Sequence, residues 1–214
     1  MKTKVKPVEK KTTKKPEVKT EKLTSDNIFP IVGIGASAGS LEALEQFLGN
    51  MPANSGMAFV VIQHLDPASK CIMCELLQRV TKMRVFTAVD RIKVNPNCVY
   101  IIPPNKSMSV LNGALYLFEP IETRGLRLPV DFFFRSLADD RLEHSIGIVL
   151  SGMGSDGSAG VKAIKGERRH GFQDPSSAKF DSMPRCALEA VQADIVAPSS
   201  ELPAKLLAIS KEIL

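Results

Sequence analysis

Apolar residues fall along the chain in short, nearly continuous runs that alternate with stretches of helical spacing. Residues 29–34 (FPIVGI) form a short apolar run closed by glycine, which predicts a buried strand. Leu41, Ala43, Leu44, Phe47 and Leu48 then recur at the spacing of one helix face. Residues 57–62 (MAFVVI) predict a second buried strand, and Met73, Leu76, Leu77 and Val80 the apolar stripe of a second helix. Residues 99–102 (VYII) and 115–118 read as strands, with Asn112-Gly113 as the hairpin turn between them. A helix follows over 132–137, with Asp131 as its cap. Residues 145–150 (SIGIVL) predict another buried strand, then a glycine loop and a helix around 161–164. This βαβα alternation predicts an α/β fold, a mostly parallel sheet covered by helices on both faces. No internal repeat interrupts it.

Composition divides the chain. It has 214 residues, 44% apolar and 24% charged, a balance that suits one soluble domain with a small addition. The net charge of +5 is a property of the N-terminus. Residues 1–25 hold nine Lys and three Glu, and the remainder holds 19 basic against 20 acidic residues. The expected organisation is a disordered lysine-rich tail over 1–27 and a folded domain over 28–214. A solvated arm is the plain reading of the tail, and an arm touching acidic lipid or nucleic acid the alternative. The nearly neutral body offers no broad basic face for nucleic acid. No apolar run is long enough for a membrane helix, and no apolar segment of a secretory signal follows the lysines. Four cysteines are too few for a disulfide scaffold. The expectation is a cytoplasmic protein without membrane insertion.

In parallel α/β sheets, sites form beyond the carboxyl ends of the strands. The first buried strand leads into Gly35-Ala36-Ser37-Ala38-Gly39, the second into Gln63-His64, and residues 145–150 into Ser151-Gly152-Met153-Gly154-Ser155-Asp156-Gly157. A serine, a histidine and an aspartate thus follow three strands, the set used for nucleophilic acyl transfer. In that reading Ser37 attacks, His64 takes its proton and Asp156 orients the imidazole. Taken singly, Ser37 could mark a glycine turn, His64 a polar strand end, and Asp156 the cap of the helix after it.

The loop at 33–39 has rival readings. Gly33-x-Gly35-x-x-x-Gly39 resembles a dinucleotide fingerprint, but Gln63 and His64 stand where the ribose-binding carboxylate is needed. Gly35-x-Ser37-x-Gly39 matches a nucleophile elbow, yet the order Ser, His, Asp disfavours the α/β-hydrolase fold. Cys71 and Cys74 form a lone C-x-x-C, read as buried thiols rather than a zinc or redox site. Cys98, Cys186 and Phe132 to Phe134 read as core, and His144 and His170 as surface. No metal or cofactor motif is expected.

Residues 31–44 (IVGIGASAGSLEAL), 59–67 (FVVIQHLDP), 99–110 (VYIIPPNKSMSV), 131–140 (DFFFRSLADD), 147–160 (GIVLSGMGSDGSAG) and 173–185 (QDPSSAKFDSMPR) resemble, in order, the catalytic domain of the chemotaxis methylesterase family CheB. The resemblance implies a doubly wound parallel sheet with an antiparallel hairpin. It also implies hydrolysis of γ-glutamyl methyl esters on the cytoplasmic helices of methyl-accepting receptors, with glutamine deamidation as a second activity in many members. On this resemblance the triad is Ser37, His64 and Asp156, and the oxyanion neighbourhood is Ala38 and the backbone of Met153. No cofactor is implied.

Three departures stand out. The lysine tail occupies the place of the usual receiver domain, so control by phosphorylation within this chain is not expected. The phrasing of 124–140 is similar to the version joined to a CheR-type methyltransferase in hybrid signalling proteins, and suggests a piece of such a hybrid. Ser40 replaces a usual glycine, with little consequence expected. Residues 165–172 (KGERRHGF) replace a glycine pair and an apolar strand, which predicts a short edge strand or poor order. The alternative from another class is a non-catalytic interaction module, against which the intact Ser37, His64 and Asp156 argue.

Overall fold

The computed structural model of the chain describes residues 29–37, 39–63, 72–120, 127–164 and 169–210. The lysine-rich tail, Ala38, His64 and Cys71 lie outside the described residues. The elements run β1 (Ile31–Ala36), α1 (Leu41–Asn50), β2 (Ala58–Gln63), α2 (Ile72–Val80), β3 (Arg84–Thr87), β4 (Ile92–Lys93), β5 (Cys98–Ile101), β6 (Ser107–Leu111), β7 (Ala114–Phe118), α3 (Pro129–Arg141), β8 (Ser145–Val149), β9 (Arg169–Gln173), α4 (Ser182–Ala190), β10 (Ile195–Ala197) and α5 (Leu202–Ser210). Seven strands form one sheet in the order β10-β9-β8-β1-β2-β5-β3, every neighbouring pair parallel. A second sheet, β4-β7-β6, is antiparallel.

The apolar runs are continuous because helices cover both faces, and the two-residue period sends alternate side chains to each. Val32, Ile34, Phe59, Val61, Ile146 and Ile148 face α1 and α5. Ile31, Val60, Ile62, Tyr100 and Val149 face α3, α4 and the hairpin. The Phe134 ring of α3 lies over a glycine floor. Gly33 pairs in register with Gly147, and a Cβ added at Gly33 would come within 3.0 Å of the Phe134 ring. One added at Gly35 would come within 2.4 Å of Val130 Cγ1. Gly33 and Gly35 therefore admit α3, whereas Gly39 turns the loop beyond β1 against Phe180.

Several expectations are corrected. Asn112-Gly113 does turn a hairpin, with both residues at positive φ, but it joins β6 to β7. Residues 99–101 instead belong to β5, a parallel strand between β2 and β3. The expected helix at 161–164 is a series of turns. On α2 only Leu77 of the expected stripe is fully buried. Phe133 and Phe134 are core, but Phe132 is exposed and meets Phe118 edge-on. Cys98 is core as expected, whereas Cys186 is half-buried. Cys74 is also half-buried, 3.0 Å from the Thr87 hydroxyl.

The 165–172 region departs most. Residues 165–168 lie outside the described set, but β9 is flanked by β8 and β10 and is no edge strand. His170, expected at the surface, is buried. Asp194 makes that possible, since its Oδ2 lies 2.6 Å from His170 Nδ1 and accepts the His170 N–H at 2.9 Å. A polar group can stay inside a sheet once its hydrogen bonds are met.

Candidate active site

Ser37 is the first residue beyond β1, and its loop is held from both neighbouring strands. The Ser37 N–H donates to Ser151 O (3.2 Å), just past β8. Gln63, the last residue of β2, donates through Nε2 to Ser37 O (3.2 Å) and to Ser40 Oγ (3.0 Å). The loop folds tightly, with Ser40 N–H donating to Ser37 O at 3.2 Å and Gly39 at φ +72°, a left-handed conformation that suits glycine. Ser40 is fully buried, so the residue expected to have little consequence joins the clamp on the nucleophile loop. Residues 64–71 follow Gln63 directly and are not described, so His64 is located by its place in the chain alone.

Beyond β8, the segment 151–153 passes beside Ser37. A Cβ added at Gly152 would come within 2.9 Å of Ser37 Cβ and 3.0 Å of Ser37 N. Ser151 is fixed from behind. Its N–H donates to Gln173 Oε1 at 2.8 Å, and its hydroxyl accepts from Phe180 N at 3.0 Å. Met153 projects outward and is 59% exposed. A polar cleft of about 200 Å³ opens next to this point, lined by Gly39, Glu42, Gln46, Ser151, Gln173 and Lys179 among others.

Asp156 is buried, and both its oxygens are engaged. Oδ2 accepts from Val130 N (3.0 Å) and Oδ1 from Asp131 N (2.9 Å). These contacts complete the N-terminus of α3. Leu128, its N-cap, has no side-chain acceptor, Pro129 has no N–H, and the first helical bond runs from Phe132 N to Leu128 O at 3.0 Å. The two donors in between would be orphans without Asp156. Two expectations change here. Asp131 is the third residue of α3, not its cap. Asp156 does cap a helix, but the one that precedes it in the chain.

The structure therefore brings Ser37, Gly152, Met153 and Asp156 to the carboxyl ends of β1 and β8. It puts Gln63, the residue before His64, at the adjacent end of β2. Chain direction of growth reverses at β1, since β2 lies on one side and β8 on the other, and ligands bind at such a crevice. Gln63, Ser151, Gln173 and Asp131 were missed as supporting residues. Only Gln63 and Ser151 carried a signal, their position at strand ends. Among the described residues no cluster of three His, Cys, Asp or Glu side chains could hold a metal ion, and no helix is long and apolar enough to cross a membrane.

A family profile described as CheB methylesterase matches residues 32–206. The chain belongs to the CheB methylesterase family. The match takes in Ser37, His64 and Asp156 with all three strands that lead to them. The crystal structure of the Thermotoga maritima CheB methylesterase catalytic domain superposes with a TM-score of 0.77 at 28% identity, covering 85% of this chain and 98% of that one. A protein-glutamate methylesterase/protein-glutamine glutaminase of Geobacter metallireducens is 32% identical over 93% of this chain and 56% of its own length. A putative protein of the same description from Leptospira interrogans is 28% identical over 78% of this chain and 88% of its own. The chain thus spans little more than half the length of several curated CheB relatives that it matches.

Proposed function

We propose that the chain is a serine hydrolase that cleaves γ-methyl esters of glutamate on methyl-accepting chemotaxis receptors or related signalling proteins, and that it acts in the cytoplasm. The observation that carries this reading is the convergence at the end of β1: the Ser37 backbone is bonded to Ser151 past β8 and to Gln63 at the end of β2. The Ser37 hydroxyl attacks the ester carbonyl carbon, and His64 accepts its proton. Methanol leaves with a proton returned from His64, and water then releases the glutamyl carboxylate from Ser37 by the same route. Asp156 orients His64 and stabilises the positive charge that the imidazole carries after it takes the proton. The oxyanion is held by backbone N–H groups near Ala38 and Met153. The names of the relatives support glutamine deamidation as a second activity, since the same acyl-serine forms when ammonia leaves instead of methanol.

The test is methanol release from methylated receptor cytoplasmic fragments, wild type beside Ser37→Ala and His64→Ala. Removal of either side chain is expected to lower kcat by several orders of magnitude. Release from wild type that persists in Ser37→Ala contradicts the assignment. A folded wild type that binds methylated fragments without turnover favours an interaction module instead.

A further inference from the structure

We infer that Asp131 is a positioning residue for Asp156, acting through the backbone that follows it. The inference rests on the esterase reading above. Asp131 is buried, and among the described residues no Lys, Arg or His pairs with it. Its Oδ1 instead accepts two backbone N–H groups, from Gly157 (3.0 Å) and Gly160 (2.5 Å). Asp156 reaches the other way, to the N–H groups of Val130 and Asp131. Two carboxylates and four N–H groups thus clasp the 156–160 turn to the first turn of α3. Contact is close enough to require glycine. A Cβ at Gly160 would come within 2.9 Å of Asp131 Cα, and one at Gly157 within 2.9 Å of Val130 Cγ1.

The clasp bears on catalysis because of where Asp131 takes hold. The Gly157 N–H belongs to the peptide immediately after Asp156. Asp131 therefore fixes the backbone from which the Asp156 carboxylate projects, while α3 fixes the carboxylate itself. With the Asp131 acceptor gone, the 156–160 turn is held from one side only. A catalytic group displaced by about 1 Å costs on the order of 100-fold in rate. Ground-state binding of substrate does not depend on this orientation, so the loss falls on kcat. Asparagine keeps Oδ1 as an acceptor for both N–H groups, whereas alanine keeps nothing.

The experiment compares Asp131→Ala and Asp131→Asn with wild type by two readouts: kcat and KM for methanol release, and the rate at which a fluorophosphonate labels Ser37. Folding is checked by near-UV circular dichroism. The expected result for Asp131→Ala is a kcat roughly 10- to 100-fold lower, KM within about twofold, and labelling slowed in step. Asp131→Asn is expected to recover kcat to within about threefold of wild type. A folded Asp131→Ala with wild-type kcat and labelling overturns the inference, as does an Asp131→Asn as impaired as the alanine variant. Should Asp131→Ala not fold, Asp131→Ser, whose hydroxyl reaches at most one N–H, replaces it in the same comparison. Failure of both to fold overturns a positioning role in favour of a purely structural one. Wild type that labels at Ser37 but releases no methanol rejects the esterase reading alone, and labelling then decides the inference.

Discussion

Removing the Asp156 carboxylate should cost stability as well as activity. In Asp156→Ala the N–H groups of Val130 and Asp131 lose their acceptors inside the protein. An unpaired buried donor costs about 1–3 kcal/mol and the loss of an N-cap about 0.5–2 kcal/mol. The two descriptions overlap here, so the expected loss is about 2–4 kcal/mol. For a domain of this size each kcal/mol moves Tm by roughly 2–4 °C, which gives a fall of about 5–15 °C. Ser37→Ala is the control. Ser37 is half-buried, and its hydroxyl has no hydrogen-bond partner among the described residues. Its removal should shift stability by no more than about 0.5 kcal/mol. The assay is thermal unfolding by circular dichroism, with urea unfolding to confirm that the m-value is unchanged. Both variants should be inactive, and only Asp156→Ala should be less stable. An Asp156→Ala protein as stable as wild type, or more so, would refute the claim that this carboxylate completes α3.

Further outcomes follow from the packing and charge around the site. Gly152→Ala drives its Cβ toward Met183 Sδ and against Ser37 Cβ and N, so it should cost about 1–3 kcal/mol by urea unfolding and slow fluorophosphonate labelling of Ser37 by roughly tenfold or more. Gly35→Ala drives its Cβ into Val130 Cγ1. It should cost about 1–3 kcal/mol alone and much less in a Val130→Ala background, a coupling that a double-mutant cycle by urea unfolding measures. The hydrogen bond and charge of Arg185 hold the Asp181 carboxyl below its usual range. A carboxyl with a depressed folded-state pKa adds stability above its unfolded pKa and loses it as pH falls through the folded value. Arg185→Ala should therefore raise the Asp181 titration midpoint in a carboxyl-observed NMR experiment and leave neutral-pH stability nearly unchanged, since the pair is exposed.

Much of the fold could be read from periodicity because burial on both faces makes each central strand an unbroken apolar run. β1, β2 and β8 are legible for that reason, and with them the strand ends that lead into Ser37, Gln63 and the 151–156 loop. The rest is set by contacts distant in sequence. β9 carries Arg169 and His170, and its place inside the sheet depends on Asp194, 24 residues beyond His170. β6 reads Ser-Met-Ser-Val-Leu with alternate residues buried, a weaker signal than the unbroken apolar run of β5. Asp131 looked like a helix cap because it precedes Phe132. The true cap, Asp156, lies 25 residues away from Asp131, and no local pattern could identify it.

The most direct test of the central claim is to find which serine reacts. Wild-type protein is inactivated with a fluorophosphonate while methanol release is followed, then digested and sequenced by mass spectrometry. The account predicts one adduct, on Ser37, with labelling and loss of turnover proceeding at the same rate. An adduct on Ser40, Ser151 or Ser155, or full labelling of Ser37 with turnover intact, would contradict it.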